Sequence, residues 1–173
     1  MTDENALRTL ADKMAITEVI YTYGDCVDRR DFEGVIGCFH PDGLYQYLAD
    51  GTPMPVRAFF ESQADAGSGM IATMHHTSNI LIRTDGDRAR AQCCLLAHHL
   101  MSEDCPPFPP LFPHTGRPYG VLIGARYHDR FERRDGEWKI FQRTLHFEWD
   151  AQIQTPSVSG PLANTKGVVP GIF

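Results

Sequence analysis

No stretch of the 173-residue chain approaches the roughly 18 consecutive apolar residues that a membrane-spanning helix needs. Basic runs are also missing, and the formal net charge is −6. An acidic chain without a basic run is a poor match for nucleic acid or an anionic membrane, so neither is expected as a partner. The opening segment MTDENALRTLADK lacks the basic and then apolar regions of a secretory signal, and the cytoplasm is the expected compartment. Cysteine is sparse and unpatterned. Cys26, Cys38, Cys93, Cys94 and Cys105 are odd in number and form no C-x-x-C pair, which argues for free thiols over a disulfide framework or a zinc site. The chain has no H-E-x-x-H, no Walker loop, no G-x-G-x-x-G after a strand and no G-x-S-x-G. What is left is chemistry without a metal, nucleotide or other cofactor.

The composition that is present, 42% hydrophobic and 22% charged, is that of one globular domain. We expect a single domain over residues 1–150 and a Gly/Pro-rich tail over 151–173 that packs on the domain or on a neighbouring subunit. Leu7, Leu10, Met14, Val19, Ile20, Tyr23 and Val27 recur at helical spacing, predicting a long first helix over about 4–27. DFEGVIGCF predicts a second, short helix that HPDG ends. GLYQYLA alternates as a strand, and PVRAFFESQADA, with Pro55 near its start, predicts a third helix. Four long strands then follow: IATMHHTSNILIRT, RARAQCCLLAHHLM, VLIGARYHDRFERR and EWKIFQRTLHFEWD. Asp-Gly joins the first pair and the last pair, a hairpin signal. The proline-rich SEDCPPFPPLFPHTGRP is expected to form a lid or a subunit-contact loop. This order predicts an α+β fold with a curved antiparallel sheet, helices on its concave face and a pocket between them.

Period-two alternation sorts the strands into faces. On the last strand Phe141, Arg143, Leu145, Phe147 and Trp149 share the apolar face, expected to point inward. Arg143 is then a cation among hydrophobic groups. It either pairs with a buried carboxylate or awaits a ligand's negative charge. Ala89, Ala91, Cys93, Leu95, Ala97 and His99 share a face of the second long strand, as do Ile123, Ala125 and Tyr127 on the third. Small residues beside polar aromatics suit a lined cavity. Tyr23, Tyr45, Tyr47, His99, Tyr127 and Phe147 are the candidate substrate contacts.

In MHHTSN, His75 and His76 point to opposite faces and cannot readily ligate one metal; the same holds for His98 and His99. A histidine that acts as a base needs a partner to fix its tautomer and stabilise the imidazolium. Asp25, Asp28 and Asp31 near the end of the first helix are the candidates, and spacing does not choose among them.

VDRRDFEGVIGCFHPDG, MHHTSNILI before DGDRARA, and YHDRFERRDGEWKI together resemble the SnoaL-like family of the nuclear transport factor 2-like superfamily. Within it the pattern is similar to scytalone dehydratases and hexachlorocyclohexane dehydrochlorinases. The resemblance covers the chain to about residue 150 and implies a cone-shaped α+β fold. It implies an Asp–His dyad for cofactor-free elimination, with Asp28 in VDRR and His75 in HHTSN as its members. It also implies a pocket cation at Arg143 and a water-holding tyrosine at Tyr47. The chain departs from the dehydratase pattern at Val27, where a second tyrosine is usual, and at Tyr127, where a substrate-holding asparagine is usual.

Three functions are thus open. The first is a cofactor-independent lyase, dehydratase-like, acting on a small, mostly apolar cyclic or aromatic molecule through His75, Asp28 and Arg143. The second is an isomerase or cyclase using the same dyad. The third is a non-catalytic binding protein or the small subunit of a ring-hydroxylating oxygenase. A homodimer or homotrimer is expected, with the aromatic and polar mix of HFEWD at the contact.

Overall fold

The structure is a computed structural model that describes residues 3–48, 51–62, 70–102 and 119–153. Helix α1 spans Asp3–Arg29, α2 Phe32–Gly37 and α3 Val56–Ser62. The strands are β1 Phe39–Gln46, β2 Met54–Pro55, β3 Met70–Asp85, β4 Arg88–Met101, β5 Tyr119–Arg134 and β6 Glu137–Ile153. They form one open, curved, six-stranded sheet in the order β2-β1-β6-β5-β4-β3. The four long strands are antiparallel to one another, but β1 runs parallel to β6, so the sheet is mixed rather than wholly antiparallel.

Acids in the first turn of α1 and Arg29 in its last turn complement the helix dipole. Ile16, Ile20 and Tyr23, spaced along one stripe, are buried against the sheet. Burying an isoleucine contributes about 1.5–3 kcal/mol relative to leaving it exposed. Leu7, Leu10 and Met14, expected on the same face, lie on the opposite side of the helix and are exposed. Asp12 anchors the helix instead, accepting from Arg133 Nη1 at 2.7 Å and from Trp138 Nε1 at 2.9 Å.

The helix ends in a tight motif. Arg30 takes a left-handed φ of 58°, its N–H donates to the Val27 carbonyl, and the Asp31 N–H donates to that of Cys26. Asp31 then caps α2 by accepting from the Gly34 N–H at 2.9 Å. Helix α2 ends at Gly37 with Cys38 as its cap, just before HPDG, which lies within β1 at the register shift between Phe39 and Leu44. His40 is buried there with Nε2 2.9 Å from the Glu132 carbonyl oxygen.

Both long hairpins close through two-residue loops. Asp135 and Gly136 take φ of 52° and 84°, the primed turn that matches strand twist. Gly86 takes 57° at the first loop position of the other.

The last strand departs from simple alternation. Register shifts lie between Arg130 and Phe131 and between Gly124 and Ala125 on its β5 partner, which place bulges at Phe141 and Glu148. Each bulge reverses the faces beyond it. Trp138 and Ile140 are therefore buried, while Phe141 lies on the outer side under the guanidinium groups of Arg130 and Arg134. Trp149, expected inside, is half exposed, and its indole lies against Gly124, where a Cβ would overlap it. Strand β6 continues to Ile153, past the boundary placed at residue 150. The proline-rich segment 103–118 and the tail from residue 154 lie outside the described residues.

Candidate active site

The three aspartates that spacing leaves equivalent have three different partners. Asp25 pairs with Arg29 one turn on, and Asp31 caps α2. Asp28 reaches across to β3, where Oδ1 lies 2.7 Å from His75 Nδ1 and Oδ2 accepts the His75 backbone N–H at 2.9 Å. Gly24, one turn earlier on the same helix face, also lies against His75. A carboxylate in the last helical turn gains nothing from the helix dipole, whose negative end it adjoins. The position of Asp28 is accounted for by its histidine, not by its helix.

Both side chains are sheltered, at 10% exposure for His75 and 24% for Asp28. The carboxylate accepts the Nδ1 proton, so neutral His75 carries its lone pair on Nε2. Its neighbour His76 faces the other side of the sheet and is exposed.

Thr73 links a second histidine to the pair. Its Oγ1 lies 3.4 Å from His75 Nδ1 and 2.9 Å from His99 Nδ1. The two imidazoles meet edge to face, with ring centroids 5.4 Å apart. With the Nδ1 proton of His75 committed to Asp28, Thr73 Oγ1 is left to hydrogen-bond His99 Nδ1 as its nearer imidazole partner. Burial, and next the proximity of His75, lower the His99 pKa to about 3, with Asp28 acting in the opposite sense. His99 is therefore neutral at physiological pH.

This has a measurable consequence. The folded pKa of His99 lies below the roughly 6.5 of an unfolded histidine, so the unfolded chain takes up the proton first as pH falls. The stability that His99 contributes is present above about pH 6.5 and is lost between there and about pH 3. Urea denaturation of wild type and His99→Gln at several pH values should show the variant losing less stability over that window. The difference should be on the order of a few kcal/mol; parallel curves would rule the shift out.

Arg143 is fully buried and is not an unpaired cation. Its Nε and Nη2 donate to Asp129 at 2.8 and 2.7 Å, and both side chains have 0% exposure. Tyr23 and Tyr127 both pack on the guanidinium, each ring centroid 4.0 Å from Cζ, and meet each other edge to face at 5.8 Å. Of the two accounts of a buried arginine, the paired one describes this chain. Burial alone would lower the arginine's pKa, but the Asp129 carboxylate more than offsets it, and the net shift is upward. Burial likewise raises the Tyr23, Tyr45 and Tyr127 hydroxyls, which stay protonated. Nη1 of Arg143 is buried without a hydrogen-bond partner among the described residues. Asp129 carried no signal in the sequence beyond sharing a face with Tyr127.

The remaining candidates divide in two. Tyr23, Tyr45 and Tyr127 are core residues at 3–4% exposure, with Tyr45 stacked on Phe59 at 4.4 Å. Tyr47 and Phe147 are half-buried and meet edge to face at 5.3 Å. Among the described residues no three His, Cys, Asp or Glu side chains converge as a metal site would require. The cysteines at 26, 38, 93 and 94 are free thiols, and Cys105 is outside the described residues.

The same fold recurs in solved structures. A candidate scytalone dehydratase from Novosphingobium aromaticivorans superposes with a TM-score of 0.68 at 22% identity, covering 92% of this chain and 99% of that one. A hexachlorocyclohexane dehydrochlorinase superposes with a TM-score of 0.73 at 18% identity, covering 90% and 98%. In sequence, the chain is 25% identical over 138 residues to an uncharacterised protein of Mycobacterium tuberculosis, covering 78% of this chain and 84% of that protein. The SnoaL-like domain model matches residues 8–144. That match spans most of the chain and all but the last strand's end of its described core, and the protein belongs to the SnoaL-like family.

Proposed function

We propose that the protein is a cofactor-independent lyase, dehydratase-like, acting on a small, mostly apolar cyclic or aromatic molecule. The observation that carries this reading is the sheltered Asp28–His75 pair, whose geometry leaves the Nε2 lone pair to accept a proton. In the reaction Nε2 takes a proton from carbon. The C–H electron pair forms the new double bond, and the leaving group departs from the adjacent carbon with its own pair. Asp28 orients the imidazole and stabilises the imidazolium. Tyr47, Phe147 and His99 contribute substrate contacts. Arg143 enters as a positioning residue that holds Tyr23 and Tyr127 from beneath, since its complete burial keeps it from substrate. The dehydratase and dehydrochlorinase structures that share the fold support an elimination over other chemistries.

The cytoplasm is the proposed compartment; no described helix is long and apolar enough to cross a membrane. A homo-oligomer is proposed from the exposed Met74, Leu96 and Trp149 on the outer side of the sheet.

The test is a panel of hydroxylated and halogenated cyclic compounds given to wild type and His75→Ala, with products weighed by mass spectrometry. Loss of water or hydrogen halide with wild type alone is the expected result. An unchanged mass with a rearranged product would replace the lyase by an isomerase or cyclase. Product formation by both proteins would remove His75 from the chemistry.

A further inference from the structure

The outer face of the sheet carries a feature that the dyad does not use. Arg83 on β3 is directly opposite Arg90 on β4, and Arg90 is directly opposite Arg130 on β5. Three arginines from distant parts of the sequence thus form one row across three strands. The next member of the row is Gln142 on β6. Like charges directly opposed on neighbouring strands destabilise a sheet. The row one step along shows the usual remedy, with Arg88 set between Asp85 and Glu132.

The arginine row has no such remedy. Arg83 and Arg90 have no hydrogen-bond or ion-pair partner among the described residues. Arg130 makes only a long 3.4 Å contact to Gln142 Oε1 and covers the Phe141 ring. The row lines a depression of about 640 Å³, to which Gln92, Gln142 and Thr144 add neutral hydrogen-bonding groups. The single acid on its lining, Asp129, has its carboxylate committed to Arg143 on the inner side. In a chain of net charge −6, an unneutralised cationic row over a concavity runs against the overall charge balance.

We infer that this depression is a second binding site, for a small free oxyanion carrying at least two negative charges. Neighbouring strands are about 4.8 Å apart, so the outer arginines are rooted about 10 Å from each other. An elongated anion bridges that span better than a single compact one, and guanidinium forks suit carboxylate and phosphate oxygens equally. A second copy of the chain meeting the depression itself by two-fold symmetry would set arginines against arginines, which disfavours a self-contact at this end of the outer face, away from Leu96 and Trp149.

The experiment is calorimetric titration with pyrophosphate and with citrate, in sodium chloride at matched ionic strength, alongside thermal melts. Wild type should bind at least one of them saturably and melt higher in its presence. Preference for pyrophosphate would identify a phosphate ligand, and preference for citrate a carboxylate. Arg90→Gln, at the centre of the row, should weaken binding about tenfold or more. In chloride alone it should melt no lower than wild type, because its removal relieves repulsion. That pairing of lost binding with retained stability is not what a merely structural arginine would give. No saturable heat with either anion, or heat unchanged in Arg90→Gln, would overturn the site. So would a change in sedimentation on Arg90→Gln, because it would put another subunit in the depression.

Discussion

Replacing His75 with alanine or glutamine is expected to lower turnover by about 10²–10⁴-fold, the usual contribution of a positioned general base. Neither variant should lose much stability, because the His75 backbone N–H still donates to Asp28 Oδ2 and the side chain is not part of the tightly packed core. Asp28→Asn is the more informative partner. The amide oxygen can still accept one hydrogen bond, but its NH2 group must face either the His75 backbone N–H or Nδ1. If it faces Nδ1, it drives the imidazole proton to Nε2 and removes the lone pair from the reacting side. Asp28→Asn should therefore lose turnover at nearly unchanged stability, and the double variant should be little worse than His75→Ala alone. Two residues that act as one base give such non-additive losses. Additive losses would mean that Asp28 acts elsewhere, and a fully active His75→Ala would end the dyad assignment. Steady-state kinetics on whichever compound the panel identifies, with a urea melt for each variant, supplies both readings.

The elements were legible in the sequence where local chemistry decides them. The long strands follow from alternation and from Asp-Gly turns, and both hairpins close where those turns fall. The second short helix follows from the apolar spacing after Asp31. Two things resisted. A bulge shifts a strand's phase by one residue without leaving a compositional mark. The inward set of β6 is therefore Trp138, Ile140, Arg143, Leu145 and Phe147, and strict alternation misplaces Phe141 and Trp149. Long-range partners also leave no local trace. Asp25, Asp28 and Asp31 differ only in what other segments bring to them, and only family resemblance singled out Asp28. The Arg83–Arg90–Arg130 row is a product of register and is invisible as a run of charge. The Asp129–Arg143 pair was half visible, through an arginine on an apolar face whose carboxylate could not be named.

That pair should dominate the stability of the sheet's interior. Asp129→Asn would leave the Arg143 guanidinium at 0% exposure without a countercharge, and breaking a buried pair from one side costs about 3–5 kcal/mol. Against a typical total of 5–15 kcal/mol, that is enough to unfold a visible fraction of the protein on mild heating. The tyrosine rings packed on Arg143 soften the loss, since cation–π contacts in a desolvated setting contribute about 2 kcal/mol. They do not replace the carboxylate, because Nη1 is already without a partner among the described residues and the substitution sets an NH2 donor against one of the two N–H groups that Asp129 accepts. Arg143→Met leaves the opposite orphan, with a different response to pH. A lone buried carboxyl takes up a proton and becomes neutral, whereas an arginine cannot shed its own. The deficit of Arg143→Met should therefore shrink in acid, and that of Asp129→Asn should not. Replacing both, as Asp129→Leu with Arg143→Met, removes both charges at similar volume and should recover most of the loss. Urea denaturation of the three variants at neutral and acid pH separates these effects. Equal losses in Asp129→Asn and the double variant would show that Arg143 and Asp129 act through packing, not through charge.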